Sequence, residues 1–206
     1  SFQIKCAMDA GFIVEDSITY IAPIKGNDED IIMNFTRSAR KSVRQALNKG
    51  LIVERTYDKK IIDIYYDQLI QVFRKSNMVP TYSKNRVIQL WDCLFHSGKL
   101  IATQVKFEDK IIATRIDYYD GEWLHSFGSA SDQQYLNLNP NELARYFVMC
   151  EASKLGLRYY DMSGGGAYKA KFGADVVSIN RLIFSRFGLN KIKKTIKKLK
   201  RKKLRG

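Results

Sequence analysis

Between Leu100 and Ser129 the sequence changes period, and that change limits the folds open to it. Leu100–Phe107 and Ile111–Tyr119 alternate apolar and polar residues, the two-residue repeat of a strand with one buried face. A tight turn at Glu108–Lys110 joins them. Asp120-Gly121 then separates Tyr119 from Glu122, a pair suited to the positive backbone angles of a two-residue hairpin. Glu122–Ser129 is the third strand. Strands joined by such short turns run antiparallel, because a parallel return needs a long crossover.

Helical periods flank this meander. Ile18–Ile24 reads as a strand and Lys25–Asp30 as a polar turn. The spacing of Ile32, Phe35, Ala39, Val43, Ala46 and Leu47 predicts one helix over Ile31–Asn48, with Gly50 behind its end. Leu51–Arg55 reads as a strand. Asp63–Asn77 and Lys84–Ser97 read as helices, stopped by Pro80 and Gly98. After the meander, Asn139-Pro140-Asn141-Glu142 opens another helix, with Asn139 as N-cap, Pro140 in the first helical position and Glu142 three beyond the cap. It ends at Gly156. Leu157–Met162 is an apolar strand, Ser163–Phe172 a loop with a short helix, and Val176–Ser185 the last strand. A meander followed by strand-helix-strand gives an α+β (mixed α/β) fold, a mixed but mostly antiparallel sheet flanked by helices.

Apolar residues make up 45% of the 206 and aromatics 12%, enough for a packed core. The apolar runs fall far short of the roughly 18 residues that suggest a membrane span. Ser1–Ala10 lacks the basic start and apolar block of a secretory leader, so a cytoplasmic chain is expected. Cys6, Cys93 and Cys150 are odd in number and far apart, and are expected to be buried free thiols in a reducing compartment. His96 and His125 are the only histidines, and neither has a cysteine or carboxylate at ligand spacing, which argues against a zinc site or a Ser-His-Asp triad. The net charge of +14 is uneven: Arg186–Gly206 holds 11 Lys or Arg and no acid, leaving +3 for residues 1–185. The chain therefore divides into a body, 1–188, and a basic tail, 189–206. Leu189, Ile192, Ile196 and Leu199 form an apolar stripe among the tail's lysines, the pattern of a basic amphipathic helix suited to an anionic membrane surface or RNA.

Tyr160–Asp175 reads YDMSGGGAYKAKFGAD. Its glycines lack both the P-loop and the dinucleotide-binding spacings. A loop needing positive φ and close backbone passage is one reading; a loop that lets substrate approach the sheet end is the other. Arg37, Arg40 and Arg44 share one side of their predicted helix, either as a solvated face or as a phosphate-binding row.

Three segments resemble the Fem-type, BioF2-like acyltransferases of the GNAT superfamily. Arg37-Ser-Ala-Arg40-Lys41-Ser-Val-Arg44, continuing to Gly50, is similar to that family's R-x-x-I-R-K-A-x-K-x-G helix. Asn139-Pro140-Asn141 is similar to its P-N helix start. Tyr160-Asp161-Met-Ser-Gly164-Gly165 with Tyr168-Lys169-Ala-Lys171-Phe172-Gly173 resembles its Y-D-x-G-G … F-K-x-x-F-G close. Together they cover most of residues 18–185, where full Fem-type enzymes carry two such domains.

The resemblance implies a GNAT-like fold and N-acyl transfer, in which an amine attacks an ester or thioester carbonyl and charge builds on its oxygen. It assigns Lys169 to meeting that charge, with Lys171 as a rival because Tyr-Lys-Ala-Lys stands for Phe-Lys-x-Gly. Asp161 would orient the amine or take its proton, or else cap the glycine loop. Arg37, Arg40, Arg44, Asn139, Asn141, Gly164, Gly165, Tyr168 and Lys171 become candidate substrate-binding residues. The donor is left open between acyl-CoA and aminoacyl-tRNA, without a metal, because Gln134–Asn139 carries none of the glycines with which acetyl-CoA enzymes hold pyrophosphate. The implied acceptor is an amine of a peptidoglycan or surface-polysaccharide precursor, with tRNA and an anionic membrane as further partners and the inner membrane face as the place of action. The alternatives are a nucleic-acid- or membrane-binding module without catalysis, and an aminoacyl-tRNA–protein transferase.

Overall fold

The computed structural model describes residues 2–184, so the expected basic tail, 189–206, lies outside the described residues. The elements follow as α1 (Phe2–Asp9), β1 (Ile13–Pro23), α2 (Asp28–Met33), α3 (Arg37–Asn48), β2 (Ile52–Thr56), α4 (Ile61–Arg74), α5 (Lys84–Phe95), β3 (Leu100–Phe107), β4 (Lys110–Asp120), β5 (Trp123–Ser131), α6 (Pro140–Lys154), β6 (Tyr159–Asp161) and β7 (Asp175–Ile183). Short 3-10 turns at Gln133–Leu138 and Ala167–Phe172 precede α6 and β7. The strands form one sheet in the order β2-β3-β4-β5-β6-β1-β7. The described pairings are antiparallel except β5–β6, the pair that α6 connects. This is the predicted mixed, mostly antiparallel sheet.

Two units divide the chain. In the larger, Thr19–Val177, helices cover both sheet faces. On one, Ile31, Phe35, Val43 and the α6 residues Leu143, Val148 and Met149 share a buried cluster. On the other, Ile61, Tyr65 and Leu69 of α4 and Val87 and Trp91 of α5 pack with Leu100, Ala102 and Ile116. The smaller unit joins Ser1–Ile18 to residues from Ser178 on. There the rings of Phe12 and Phe184 lie 5.2 Å apart.

The predicted single helix over 31–48 is two helices. Thr36 breaks it: its backbone is extended, and its hydroxyl accepts the Ala39 N–H at 3.4 Å as the N-cap of α3. Arg40 reaches back to cap the other side, donating from Nη1 to the Met33 and Phe35 carbonyls at 3.0 and 2.7 Å. Leu47, expected inside, is 48% exposed. Asn139 also departs from expectation. Its φ is 60° and its side chain makes no capping bond, so Pro140 begins α6 without a side-chain cap. Of the three free cysteines, Cys150 is buried as predicted, whereas Cys6 and Cys93 are exposed.

One irregularity shapes the sheet centre. Ile116 faces Gly128 and Asp117 faces Ser126, so Phe127 is an extra residue, a bulge in β5. Gly128 beside it has no room for a side chain, since a Cβ there would strike the hydroxyl of buried Tyr65, which is hydrogen-bonded to Tyr82. Gly128→Ala is therefore expected to lower stability by about 1–3 kcal/mol, the usual cost of overpacking, with thermal unfolding as the measurement. An unchanged melting temperature would show that the Tyr65 side chain yields.

Candidate active site

A cleft opens where β5 and β6 part. Their parallel pairing spans only Trp123↔Tyr159, Leu124↔Tyr160 and His125↔Asp161. Beyond it β5 runs on to Ser131, while the other chain turns away through Met162–Gly166. The Met162 N–H goes instead to Tyr20 O on β1. Past Ser126 that edge of β5 has no strand partner, and its outward backbone groups face the gap. Ser163 fills part of it, donating its hydroxyl to Ser126 O at 3.0 Å. Two cavities lie here. One, of about 250 Å³, is bounded by Ser126–Ser129, Met162–Gly164 and Lys169. The other, of about 270 Å³, is bounded by Ser131, Gln133, Asn141, Glu142 and Phe172 among others. Ser129, Arg145 and Tyr168 border both.

A buried polar cluster lies behind the cleft. Arg115 and Asp117, two residues apart on β4, are 1% and 0% exposed. They pair through Nε–Oδ2 at 2.7 Å and Nη2–Oδ1 at 2.8 Å. Arg115 also donates to Ser126 Oγ at 2.8 Å, and the Tyr160 hydroxyl donates to Asp117 Oδ1 at 2.7 Å. Burial pushes the Asp117 carboxyl up to about 6, against the pull of Arg115 and Arg145. Arg145, on α6, is 5% exposed. Burial, and then the charge of Arg115, push its guanidinium down to about 9.

The glycine loop needs unusual backbone. Ser163, Gly164 and Gly166 all have positive φ, 55°, 54° and 145°. Lys169 holds it from within: its ammonium donates to the carbonyls of Met162 at 2.9 Å, Gly164 at 3.2 Å and Ser163. At 7% exposure Lys169 is buried rather than solvated. Burial, then Arg145 and Arg115, lower its affinity for the proton. Lys171 turns the other way, to Glu142 Oε1 at 2.6 Å in the first turn of α6. Its carbonyl receives the Thr36 N–H at 2.8 Å, which ties the 3-10 turn to the start of α3.

Asp161 ends β6. Its Oδ1 accepts from the Ser163 N–H at 2.8 Å and from the Thr19 hydroxyl; Oδ2 lies 3.9 Å from His125 Nδ1. The sheet register thus brings a histidine to a carboxylate that is 36 residues away in sequence. Tyr168 is 56% exposed at the mouth of both cavities, and Gly164 borders one of them while Gly165 sits in the exposed loop. Asn141 Nδ2 donates to Ser131 Oγ at 3.0 Å, and Asn139 Nδ2 lies 3.5 Å from Gln45 Oε1. Arg37 and Arg44 are exposed, Arg40 is committed to the α2–α3 junction, and none of the three borders either cavity. Arg115, Asp117, Ser129, Arg145 and Tyr160 were not among the sequence candidates. For the first two a signal exists: charges of opposite sign two apart in a strand share a face.

Among the described residues no group of three or more His, Cys, Asp or Glu is placed to hold a metal ion, and no helix is long and apolar enough to cross a membrane.

Removing one member of the Arg115–Asp117 pair strands the other in the interior. Asp117→Leu and Arg115→Met are each expected to cost about 3–5 kcal/mol, and the double variant less than either. Denaturant unfolding of the four proteins measures this. Additive losses would mean that the two charges do not act as a pair.

Comparison with known proteins agrees with this geometry. Residues 34–171 match the acetyltransferase (GNAT) domain family. No curated protein matches. Among solved structures, FemX superposes with a TM-score of 0.71 at 16% identity, over 88% of this chain and 68% of that one. The L-PGS structure from Bacillus licheniformis gives 0.62 at 10% identity, over 97% of this chain and 70% of that one. The C-terminal domain of a putative lysylphosphatidylglycerol synthetase from Agrobacterium fabrum gives 0.61 at 12% identity, over 88% of this chain and 64% of that one. The chain thus spans about two thirds of each of these structures, with which it shares the fold. With its central parallel pair splayed over a cleft and two thirds of its length matched by the family, the chain belongs to the GNAT acetyltransferase-domain family and is an acyltransferase.

Proposed function

We propose that this acyltransferase moves an aminoacyl group from an ester donor to an amine on a cell-envelope precursor, within the cleft between β5 and β6. The observation that carries the reading is the open edge of β5 facing the loop that Lys169 braces. In the reaction the amine nitrogen bonds to the acyl carbon, the ester C–O bond breaks, the amine loses a proton and the departing oxygen gains one. Charge gathers on the carbonyl oxygen in between. The outward amides of β5 and the nearby Lys169 charge are fixed before the reaction begins, so they can meet that charge without reorganising. Asp161 Oδ2, which faces His125 Nδ1 at 3.9 Å, would take the proton that the amine must lose, Oδ1 being engaged by Thr19 and Ser163.

An aminoacyl ester suits the start of α6 better than coenzyme A does. Pro140 contributes no N–H there, and the Glu142 carboxylate already occupies the first turn, where a pyrophosphate would meet like charge. A residue-lined 3-10 turn, Gln133–Leu138, stands before the helix. The fold neighbours add support for the substrate class, one being by name the C-terminal domain of a putative lysylphosphatidylglycerol synthetase. The polybasic tail, 189–206, supports a membrane-borne acceptor on charge alone.

Lys169→Ala is expected to lower kcat about a hundredfold or more, with a smaller effect on KM, in an assay of labelled aminoacyl ester and amine acceptor. Lys171→Ala frees Glu142 and is expected to act on KM. The reverse pattern would move the role to Lys171, and full activity in both would remove lysine from the mechanism.

A further inference from the structure

Arg145 is the one buried cation of the cleft without a hydrogen-bond acceptor among the described residues. Its guanidinium lies 4.8 Å from the Phe172 ring centre and 5.9 Å from that of Tyr160. Nη1 is sealed from solvent and unpaired. The carboxylates around it are engaged elsewhere. Asp117 is held by Arg115 and Tyr160, and Glu142 by Lys171 at 2.6 Å. Lys169, the other buried cation on the cleft, gives its protons to three carbonyls. A charge removed from water without an acceptor is costly, and the two ring faces offset part of that cost without giving its N–H groups a partner. Because Arg145 borders both cavities, a group entering from either side meets it.

We propose that Arg145 receives a carboxylate of the substrate, at the point where the two cavities meet beside Ser129 and Tyr168. The planar fork of a guanidinium presents two parallel N–H donors, which match the two oxygens of a carboxylate. A carboxylate is flat like the fork, whereas a tetrahedral phosphate holds two of its oxygens out of that plane. The rings of Phe172 and Tyr160 lie beside the guanidinium and restrict its movement. Either the donor or the acceptor thus carries a free carboxylate on the part that enters the cleft. The inference rests on the acyl-transfer reading only for the use of this cleft as the substrate site.

The test is equilibrium binding to the full chain without any acyl donor, so that it stands apart from turnover and from Lys169. The probes are succinate, its uncharged diamide and inorganic phosphate, followed by thermal shift and calorimetry on the wild type, Arg145→Met and Arg145→Lys. Succinate is expected to raise the melting temperature with dose and to give a saturable calorimetric isotherm, with the diamide inert and phosphate at least about tenfold weaker. Arg145→Met is expected to lose the succinate response while melting at or above the wild-type temperature, since it removes an unpaired buried charge without emptying the slot. Should that variant fail to fold, Arg145→Lys decides, because it keeps the charge and loses the fork: weaker succinate binding supports the carboxylate seat, and unchanged binding overturns it. A wild type indifferent to succinate, an equal response in Arg145→Met, or phosphate binding as tightly as succinate would each overturn the proposal. Transfer activity that survives any of these failures leaves the acyltransferase reading standing.

Discussion

Three residue pairs of parallel sheet hold β5 to β6, and the cleft begins where the third, His125↔Asp161, ends. Backbone groups that would have paired across the next rows are left facing each other over a gap. A sheet interior does not tolerate such a gap unless polar side chains or a ligand fill it. Ser163 satisfies one carbonyl and Lys169 braces three more. The bulge at Phe127 sits on the same stretch of β5, with Gly128 pressed against Tyr65. The two disturbances, one in each neighbouring ladder, bend β5 just where a substrate carbonyl would need its amides.

The charges follow from that opening. A cleft at the sheet centre brings solvent-sized cavities against what is otherwise core, so charged groups there are partly stripped of water. Arg115 and Asp117 answer by pairing with each other and with Tyr160. Lys169 answers by bonding carbonyls. Arg145 keeps an unspent donor at Nη1, and the field of Arg115 makes its position harder to hold. Such a site suits the proposed acyl transfer, in which charge would gather on the carbonyl oxygen.

Much of this fold is written in local pattern. The meander was legible because alternation and Asp120-Gly121 are strong signals of short range, and the observed β3 and β4 lie within a residue of the predicted strands. The break between α2 and α3 was hidden because apolar residues keep helical spacing straight through Thr36. Only the hydrogen bonds of Thr36 and Arg40 end one helix and start the next. Asn139 illustrates the opposite error: a good capping residue took a left-handed conformation after a 3-10 turn and capped nothing. At the site, the glycine loop and Lys169 were legible as motif, but not the burial of that lysine. Arg145 gave no signal at all, because helical spacing says which residues share a face and not how deep the face lies.

Hydrogen exchange of the whole chain tests the central point, that the open edge of β5 is where the donor carbonyl binds. The measurement compares the free protein with samples holding an amide-linked, hydrolysis-resistant 3′-aminoacyl adenosine or coenzyme A. The amides of Ser126–Ser131 that are not bonded to β4, and those of Gly164–Ala167, are expected to exchange readily in the free protein and to become protected by the aminoacyl compound. Protection confined to Gln133–Leu143, and produced by coenzyme A instead, would contradict both the proposed donor and the role given to β5.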